Sequence, residues 1–457
     1  MTFPIPTPHP PELLGRPSRK AATAALKAHL AVLKGDPLKR ALSEALQEAE
    51  ALGGQERRFA ALVTRELSRQ QRLLDLAARQ LGHPPGRWSL KEDQALVRYV
   101  LWRRLFTGEG WGRIGPEVKL PGPLRPRTIR DQFLEEISKA EFPETSLPPE
   151  GPERSATVHS FPNWFVRRLE PVVPPAELDA LLAALNREPS LLLRVRPPGS
   201  REEVARALEG EGVTPERLPW APDALRLPEG SGRVFESAPM KANRLQVQDL
   251  GSQLIVALCQ PSPGTAFAGL KVLDACAGAG GKTLALADLV GPGGRVFASD
   301  RSRKRLGEAR TRASRFGLRN VSFPEAEPLG DVDVLLIDAP CSGSGSVARE
   351  PDQKWKLTEK AVQDFQKTQL EILHRVAAGA RPGALIVYAT CSLFREEDED
   401  VVSRFLSEAP GFEVEDAAPL LGAHAAALCA GPFLRVLPHR VAGGGFFAAR
   451  LRKKAGA

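Results

Sequence analysis

No run of about 18 apolar residues occurs in this 457-residue chain, so nothing in it reads as a membrane-crossing helix. The opening "MTFPIPTPHPPELLG" has no charged segment followed by an apolar core, which predicts no secretory signal. Cysteine is scarce, with five residues, an odd number and well spread. That argues against a disulfide scaffold and fits a reducing, cytoplasmic setting. Those cysteines and the seven histidines fall into no zinc-binding spacing, so no metal is expected. No internal repeat is visible, which removes solenoids and propellers from consideration.

What remains is an ordinary globular composition with a basic bias. The chain is 42% hydrophobic and 26% charged, with a formal charge of +8 and an isoelectric point near 9.3. A polyanion such as nucleic acid is a plausible partner for that balance, although an excess of this size also simply aids solubility. The length allows two or three domains.

Residues 1–18 read as a flexible, Pro-rich tail. Helical periodicity follows in "AATAALKAHLAVLKG", "RRFAALVTRELSRQQRLLDLAARQL" and "KEDQALVRYVLWRRLF", with no strand-like alternation between them. The proline clusters "KLPGPLRPR" and "FPETSLPPEGPE" end this region, so residues 19–145 are expected to be an all-α domain. Residues 146–245 read as a small α/β linking module. Within it "FPNWFVRRLE" and "PPAELDALLAALN" are helices, and "SLLLRVRP", "DALRLPEG" and "GRVFES" are strands. "SREEVARALEGEG" opens on a capping box of Ser200 and Glu203 and should be a helix.

From residue 246 to 457 strands and helices alternate. "LKVLDAC", "RVFASD", "NVSF", "VDVLLIDAP" and "ALIVYATCS" are successive strands, and "FEVEDA" with "GGFFAARLR" an antiparallel pair. This pattern predicts a Rossmann-like, doubly wound α/β sheet. Ligands in such sheets sit at the carboxyl ends of the strands, where Asp274–Lys282, Asp300, Asp338–Cys341 and Cys391 should converge on one cleft.

The turn "DACAGAGGKT" ends like a phosphate-binding P-loop, but the glycine that a P-loop needs five positions before Gly281 is Cys276. Nor is it a dinucleotide loop, because Gly278 and Gly280 are followed by Thr283 in place of a third glycine. Asp300, some 20 residues on, is placed to accept hydrogen bonds from a ribose diol. S-adenosylmethionine fits both ends, its carboxylate on the loop and helix N-terminus and its ribose on Asp300. The expected cofactor contacts are therefore Cys276, Ala277, Gly278, Ala279, Gly280, Gly281, Lys282, Asp300 and Asp338. Cys276 otherwise reads as a packing residue, as do Cys259 and Cys429.

"DAPCSGSG" with Cys341 and "YATCSLFREEDE" with Cys391, together with "DACAGAGGKT" and "PDQKW", closely resemble the RNA cytosine-C5 methyltransferases of the Sun/Fmu (RsmB-like) family. "FPNWFVRRL", "VQDLGSQ" and "GGGFFAARL" extend the likeness, and "RRFAALVTREL" more loosely resembles the NusB-like RNA-binding domain of the 16S rRNA enzymes. The resemblance implies 5-methylcytosine formation, most readily on small-subunit rRNA, with tRNA or another RNA as the alternative substrate. A non-catalytic RNA-binding or ribosome-assembly factor on the same fold is the rival reading, and the presence of both Cys341 and Cys391 speaks against it. No membrane partner is implied, and a monomer is expected.

The chemistry gives the thiols a reason. Carbon 5 of cytosine is a poor nucleophile until a thiolate adds at carbon 6, a case of covalent catalysis. In DNA cytosine methyltransferases the attacking Cys follows Pro, which would select Cys341. In the RNA family it follows Thr, which implies Cys391 as nucleophile and Cys341 as the residue assisting release. Asp338 would hydrogen-bond the cytosine edge near N3, and Lys282 would help to lower the Cys391 pKa. "RSRKRLGEARTRASRFGLR", residues 301–319, with Arg167, Arg168, Arg194 and Arg196, suits a phosphate track. The sequence departs from the family at Ala279, where proline is usual, at Arg196 in place of asparagine, at Gly444 in place of aspartate, and on the third strand, which lacks the expected Asp-Gly; the resemblance there implies Glu325 or Glu327 near the adenine.

Overall fold

The computed structural model describes residues 18–49, 51–82, 90–118, 131–141, 147–228 and 231–455. The Pro-rich tail, the "KLPGPLRPR" break and the boundary near residue 145 lie outside these residues. Two compact units emerge, one of residues 1–186 with 349–357 and one of 187–348 with 358–457.

The first unit is helical throughout its described residues. Arg19–Leu33 turns a face of Ala21, Ala22, Ala25, Leu26 and Ala28 inward and packs on Leu38–Glu48, Gly54–Arg69 and Lys91–Thr107. Its small side chains let the helix axes approach closely. The long periodic stretch around residues 57–81 is two helices, not one. Gly54–Arg69 and Gln71–Gln80 meet at Gln70, whose backbone leaves the helical region at φ −97°, ψ 13°.

Residues 349–357, which include the "PDQKW" motif, fold with this unit. Lys354 is fully buried, donating to Arg69 O and Asn186 Oδ1 at 2.9 Å each and lying 3.9 Å over the Phe161 ring. Burial, then the nearby Arg69 charge, pushes its ammonium well below the usual lysine range. Trp355 Nε1 donates to Ser68 O at 2.6 Å.

The second unit begins with a four-stranded antiparallel sheet in the order β2–β3–β1–β4, from β1 (Leu191–Val195), β2 (Glu216–Arg217), β3 (Ala224–Leu227) and β4 (Leu245–Val247). The capping box forms as read, with Ser200 and Glu203 each bonding the other's backbone N–H. "GRVFES" is not a strand but a 3-10 turn, Gly232–Glu236. Its two apolar residues are adjacent, so a strand would send them to opposite faces. The turn instead buries Val234 and leaves Phe235 outside.

A large mixed sheet follows, with the parallel strands β5 (Lys271–Asp274), β6 (Arg295–Ala298), β7 (Val321–Ser322), β8 (Val334–Asp338) and β9 (Leu385–Thr390). Beyond them lie β10 (Phe412–Glu415), β11 (Cys429–Ala430), β12 (Phe433–Val436) and β13 (Phe446–Lys453). The order is β11–β12–β13–β9–β8–β5–β6–β7, with β10 also pairing to β13. All five strands expected from the alternating pattern form, as does the antiparallel β10–β13 pair. The short β11–β12 hairpin was not anticipated, because its two strands carry too few residues for a period to show.

Alternate strand residues face two cores. Val272, Val334, Leu336 and Val387 meet the helices Leu250–Ala257 and Gly281–Val290. Leu273, Leu335, Ile337 and Tyr388 meet Glu359–Gly379 and Glu399–Glu408. Burial on both faces explains the unbroken apolar runs. β5 lies between β6 and β8, so the strand order reverses there and a crevice opens at its carboxyl end.

Candidate active site

The loop after β5 is shaped mainly by its backbone. Gly278 and Gly280 have φ of +53° and +85°. A Cβ on Gly280 would come within 3.0 Å of Ala309 Cβ, so only glycine fits this turn. Gly280 N donates to Ala277 O at 2.8 Å, and Gly280 caps the helix Gly281–Val290. Asp300, at the end of β6, accepts from Gly278 N at 2.8 Å and from Ser302 N at 2.7 Å. Each carboxylate oxygen keeps a further lone pair for a ligand.

Around this loop the other predicted residues gather. Lys282 is buried and its Nζ lies 2.6 Å from Asp338 Oδ2 at the end of β8. Burial works against the Lys282 charge, but Asp338 outweighs it and raises the ammonium pKa. Cys276 packs against the sheet core. Burial, then Asp274, Asp338 and Asp300, pushes its thiol well up, which keeps it neutral. Glu325 is exposed, and Glu327 is engaged by Arg375. Neither contacts the glycine loop among the described residues.

Cys341, after β8, and Cys391, after β9, lie with their sulfurs 3.3 Å apart. Both are free thiols. The Cys341 hydrogen bond, followed by a Ser346 hydroxyl and the Lys282 charge, lowers the Cys391 pKa against the opposing effects of burial and Asp338. The same bond, then burial, pushes Cys341 well up. The two thiols share one hydrogen bond, and the balance of the surrounding charges favours Cys391 as the one that ionises first. The expected contribution of Lys282 is present but small, because its ammonium is committed to Asp338.

Several residues that set this geometry were not recognised in the sequence. Ser342 and Ser392, each directly after a cysteine, donate their hydroxyls to Glu397 Oε2 at 2.5 and 2.6 Å. Glu397 also accepts from Ser342 N at 2.7 Å and Gln369 Nε2 at 3.0 Å, and it is fully buried. Thr390, directly before Cys391, donates to Asp398 at 2.5 Å, and Arg435 pairs with the same carboxylate at 2.8 Å. Gly345 lets the two turns close: its N donates to Cys391 O at 3.0 Å, and a Cβ there would lie 2.2 Å from Gly445 O. The repeated Cys-Ser pair, with an acid five or six residues on in "CSLFREE", was the signal available.

The arginines divide. Arg194 and Arg196 do not join a phosphate track. Both are buried on Asp288 and Arg196 lies 4.1 Å over the Phe316 ring. An arginine in the middle of a buried strand must find a carboxylate inside. Residues 301–319 behave oppositely. Arg301, Arg303, Lys304, Arg305, Arg310, Arg315 and Arg319 are exposed, and none forms an ion pair among the described residues.

Asp274, at the root of the loop, accepts from Thr283 Oγ1 at 2.7 Å through Oδ2, while its Oδ1 is buried without a hydrogen-bond partner. Burial, opposed chiefly by Thr283, raises its pKa to about 7. A buried unpaired acceptor beside a glycine turn fits a ligand bearing an ammonium group, as the methionine part of S-adenosylmethionine does.

This geometry is that of a class I methyltransferase. Residues 266–452 match the family described as 16S rRNA methyltransferase RsmB/F, and 161–232 match the RsmF/B-like ferredoxin-like domain. A probable ribosomal RNA small subunit methyltransferase B from a Synechocystis strain is 28% identical over 90% of this chain and 94% of that protein. Ribosomal RNA small subunit methyltransferase B of Klebsiella pneumoniae is 32% identical over 64% of this chain and 66% of its own. In structure, PH0851 superposes with a TM-score of 0.77 over 95% of this chain and 99% of its own, at 23% identity. A methyltransferase homologue from Pyrococcus horikoshii gives 0.54 over 65% and 97%, at 25% identity. The chain belongs to the RsmB/F family of S-adenosylmethionine-dependent rRNA methyltransferases, and S-adenosylmethionine is its cofactor.

Proposed function

We propose that this protein methylates carbon 5 of a cytosine in small-subunit rRNA, with Cys391 as the nucleophile and Cys341 assisting release. The observation that carries the reading is the pair of thiols at adjacent strand ends, 3.3 Å apart, beside the Lys282–Asp338 ion pair. Bound S-adenosylmethionine supplies an electrophilic methyl group. Its amino-acid part is assigned to the loop Cys276–Lys282 and Asp274, its ribose to Asp300 and its adenine side to Glu325.

The Cys391 thiolate adds to carbon 6, which places electron density on carbon 5 for attack on the methyl. Asp338 bonds the cytosine edge near N3, and the Lys282 ammonium paired with it offsets the negative charge that builds there on addition. A base then takes the carbon 5 proton, the electron pair left behind re-forms the carbon 5–carbon 6 double bond, and the carbon 6–sulfur bond breaks to return the Cys391 thiolate, with Cys341 assisting that release. The target base must first leave its stack, which costs least in a loop of RNA. The unpaired cations of residues 301–319 suit the phosphates around it. The helical residues 19–145 serve as the NusB-like RNA-binding domain, and the enzyme acts as a monomer.

The test is trapping on small-subunit rRNA. Cys341→Ala should accumulate a covalent protein–RNA adduct, and Cys391→Ala should form neither adduct nor product. The reverse pattern exchanges the two roles, and full methylation by Cys391→Ala removes the mechanism.

A further inference from the structure

Among the described residues only four large apolar side chains are markedly exposed, and two of them line one cavity. Phe235 is 54% and Val247 50% exposed. The cavity, of about 550 Å³, lies between the 3-10 turn, the edge strand β4 and the end of the helix Arg303–Arg315. That volume is within the range of small-ligand sites, about 300–1,000 Å³. Phe316 forms a further apolar wall, and Lys241, Arg312 and Arg315 bring positive charge, while no acid is among the described lining residues.

The two rings differ. Phe316 is already covered, by Arg196 at 4.1 Å and Arg315 at 4.9 Å. Phe235 has no ring or cation partner among the described residues, so its face is free. Two walls also grip the glycine loop. Arg312 Nη1 donates to Ala279 O at 2.8 Å, and Gln246 Nε2 donates to Gly281 O at 2.8 Å. The cavity therefore adjoins the methyl-transfer cleft on one side and the row of unpaired cations on the other.

We propose that this groove is a second RNA subsite, separate from the pocket for the target base, which takes one unstacked nucleotide with its base on Phe235 and its phosphates against Lys241 and Arg315. The inference rests on the RNA reading above and specifies how the RNA is held. A free aromatic face in a groove whose described charged lining residues are all cations is the chemistry that recognises single-stranded nucleic acid. A protein partner would be expected to meet an uncharged rim or one of mixed sign.

The full-length protein is titrated by fluorescence anisotropy with a short fluorescein-labelled oligouridylate and with an abasic oligonucleotide of equal length, each at two salt concentrations. Wild type should prefer the base-bearing probe by about tenfold, the scale of one stacking contact. Phe235→Ala should erase that preference and Phe235→Trp should keep it. Lys241→Gln should weaken both probes and flatten the salt dependence. A Phe235→Ala protein that still prefers the base-bearing probe overturns the subsite and leaves the groove to a protein partner. A wild type that binds neither probe refutes the RNA reading itself.

Discussion

The loop after β5 takes its shape from backbone: two left-handed glycines, a capped helix and an aspartate that bonds two amides. The turns after β8 and β9 take theirs from buried side chains, with Glu397 and Asp398 fixing the residues on either side of Cys391. A loop made by amides can exchange side chains, as Ala279 illustrates, provided the glycines stay. A pair of turns tied to one carboxylate cannot lose that carboxylate without losing register.

Removing each anchor separates the two designs. Glu397→Ala leaves two serine hydroxyls, an amide and the Gln369 side chain without their acceptor. It should cost about 3 kcal/mol in denaturant unfolding, and the misplaced cysteines should slow single-turnover methyl transfer by about 100-fold. S-adenosylmethionine affinity, measured by calorimetry, should stay nearly unchanged. If affinity falls as far as the rate does, the glycine loop and the cysteine turns are not independent.

Gly280→Ala should do the opposite. Its positive φ and the nearby Ala309 make the change cost about 1–2 kcal/mol. The cofactor should bind several-fold more weakly, while alkylation of Cys391 proceeds at its normal rate. Equal cofactor affinity in the variant would show that the loop does not depend on its glycines.

Within the cysteine pair, the hydrogen bond outranks the lysine. Cys341→Ala should move the pH midpoint of Cys391 alkylation upward, and by more than Lys282→Met does. A larger shift from Lys282→Met would reverse the order of causes given above.

The last prediction concerns the root of the glycine loop. Asp274 titrates near 7 in the folded protein, against about 4 for a free aspartate. The native state therefore holds a proton that the unfolded chain has released, and the Asp274 contribution to stability falls as pH rises from about 4 to 7. Asp274→Asn should flatten the melting temperature across that window, and an unchanged slope would place the proton elsewhere.

Much of this was legible in the sequence, for physical reasons. Buried parallel strands leave unbroken apolar runs, and their carboxyl ends gather Asp274, Asp300, Asp338, Cys341 and Cys391 whatever the side chains around them do. Long-range partners were not legible. Arg194 and Arg196 looked like surface charge because nothing in the chain order announces Asp288, more than ninety residues away. Glu397 was hidden in an acidic run that reads as a solvated helix start. Phe235 was taken for a strand residue, since a lone Val-Phe pair carries no period.

The nine residues 349–357 make the polypeptide pass between its two bodies at 186–187, 348–349 and 357–358. Severing the chain once therefore does not yield two self-sufficient halves. A fragment starting at residue 187 would lack both oxygen acceptors of Lys354 and the carbonyl that receives the Trp355 indole, exposing an ammonium that the intact enzyme keeps inside.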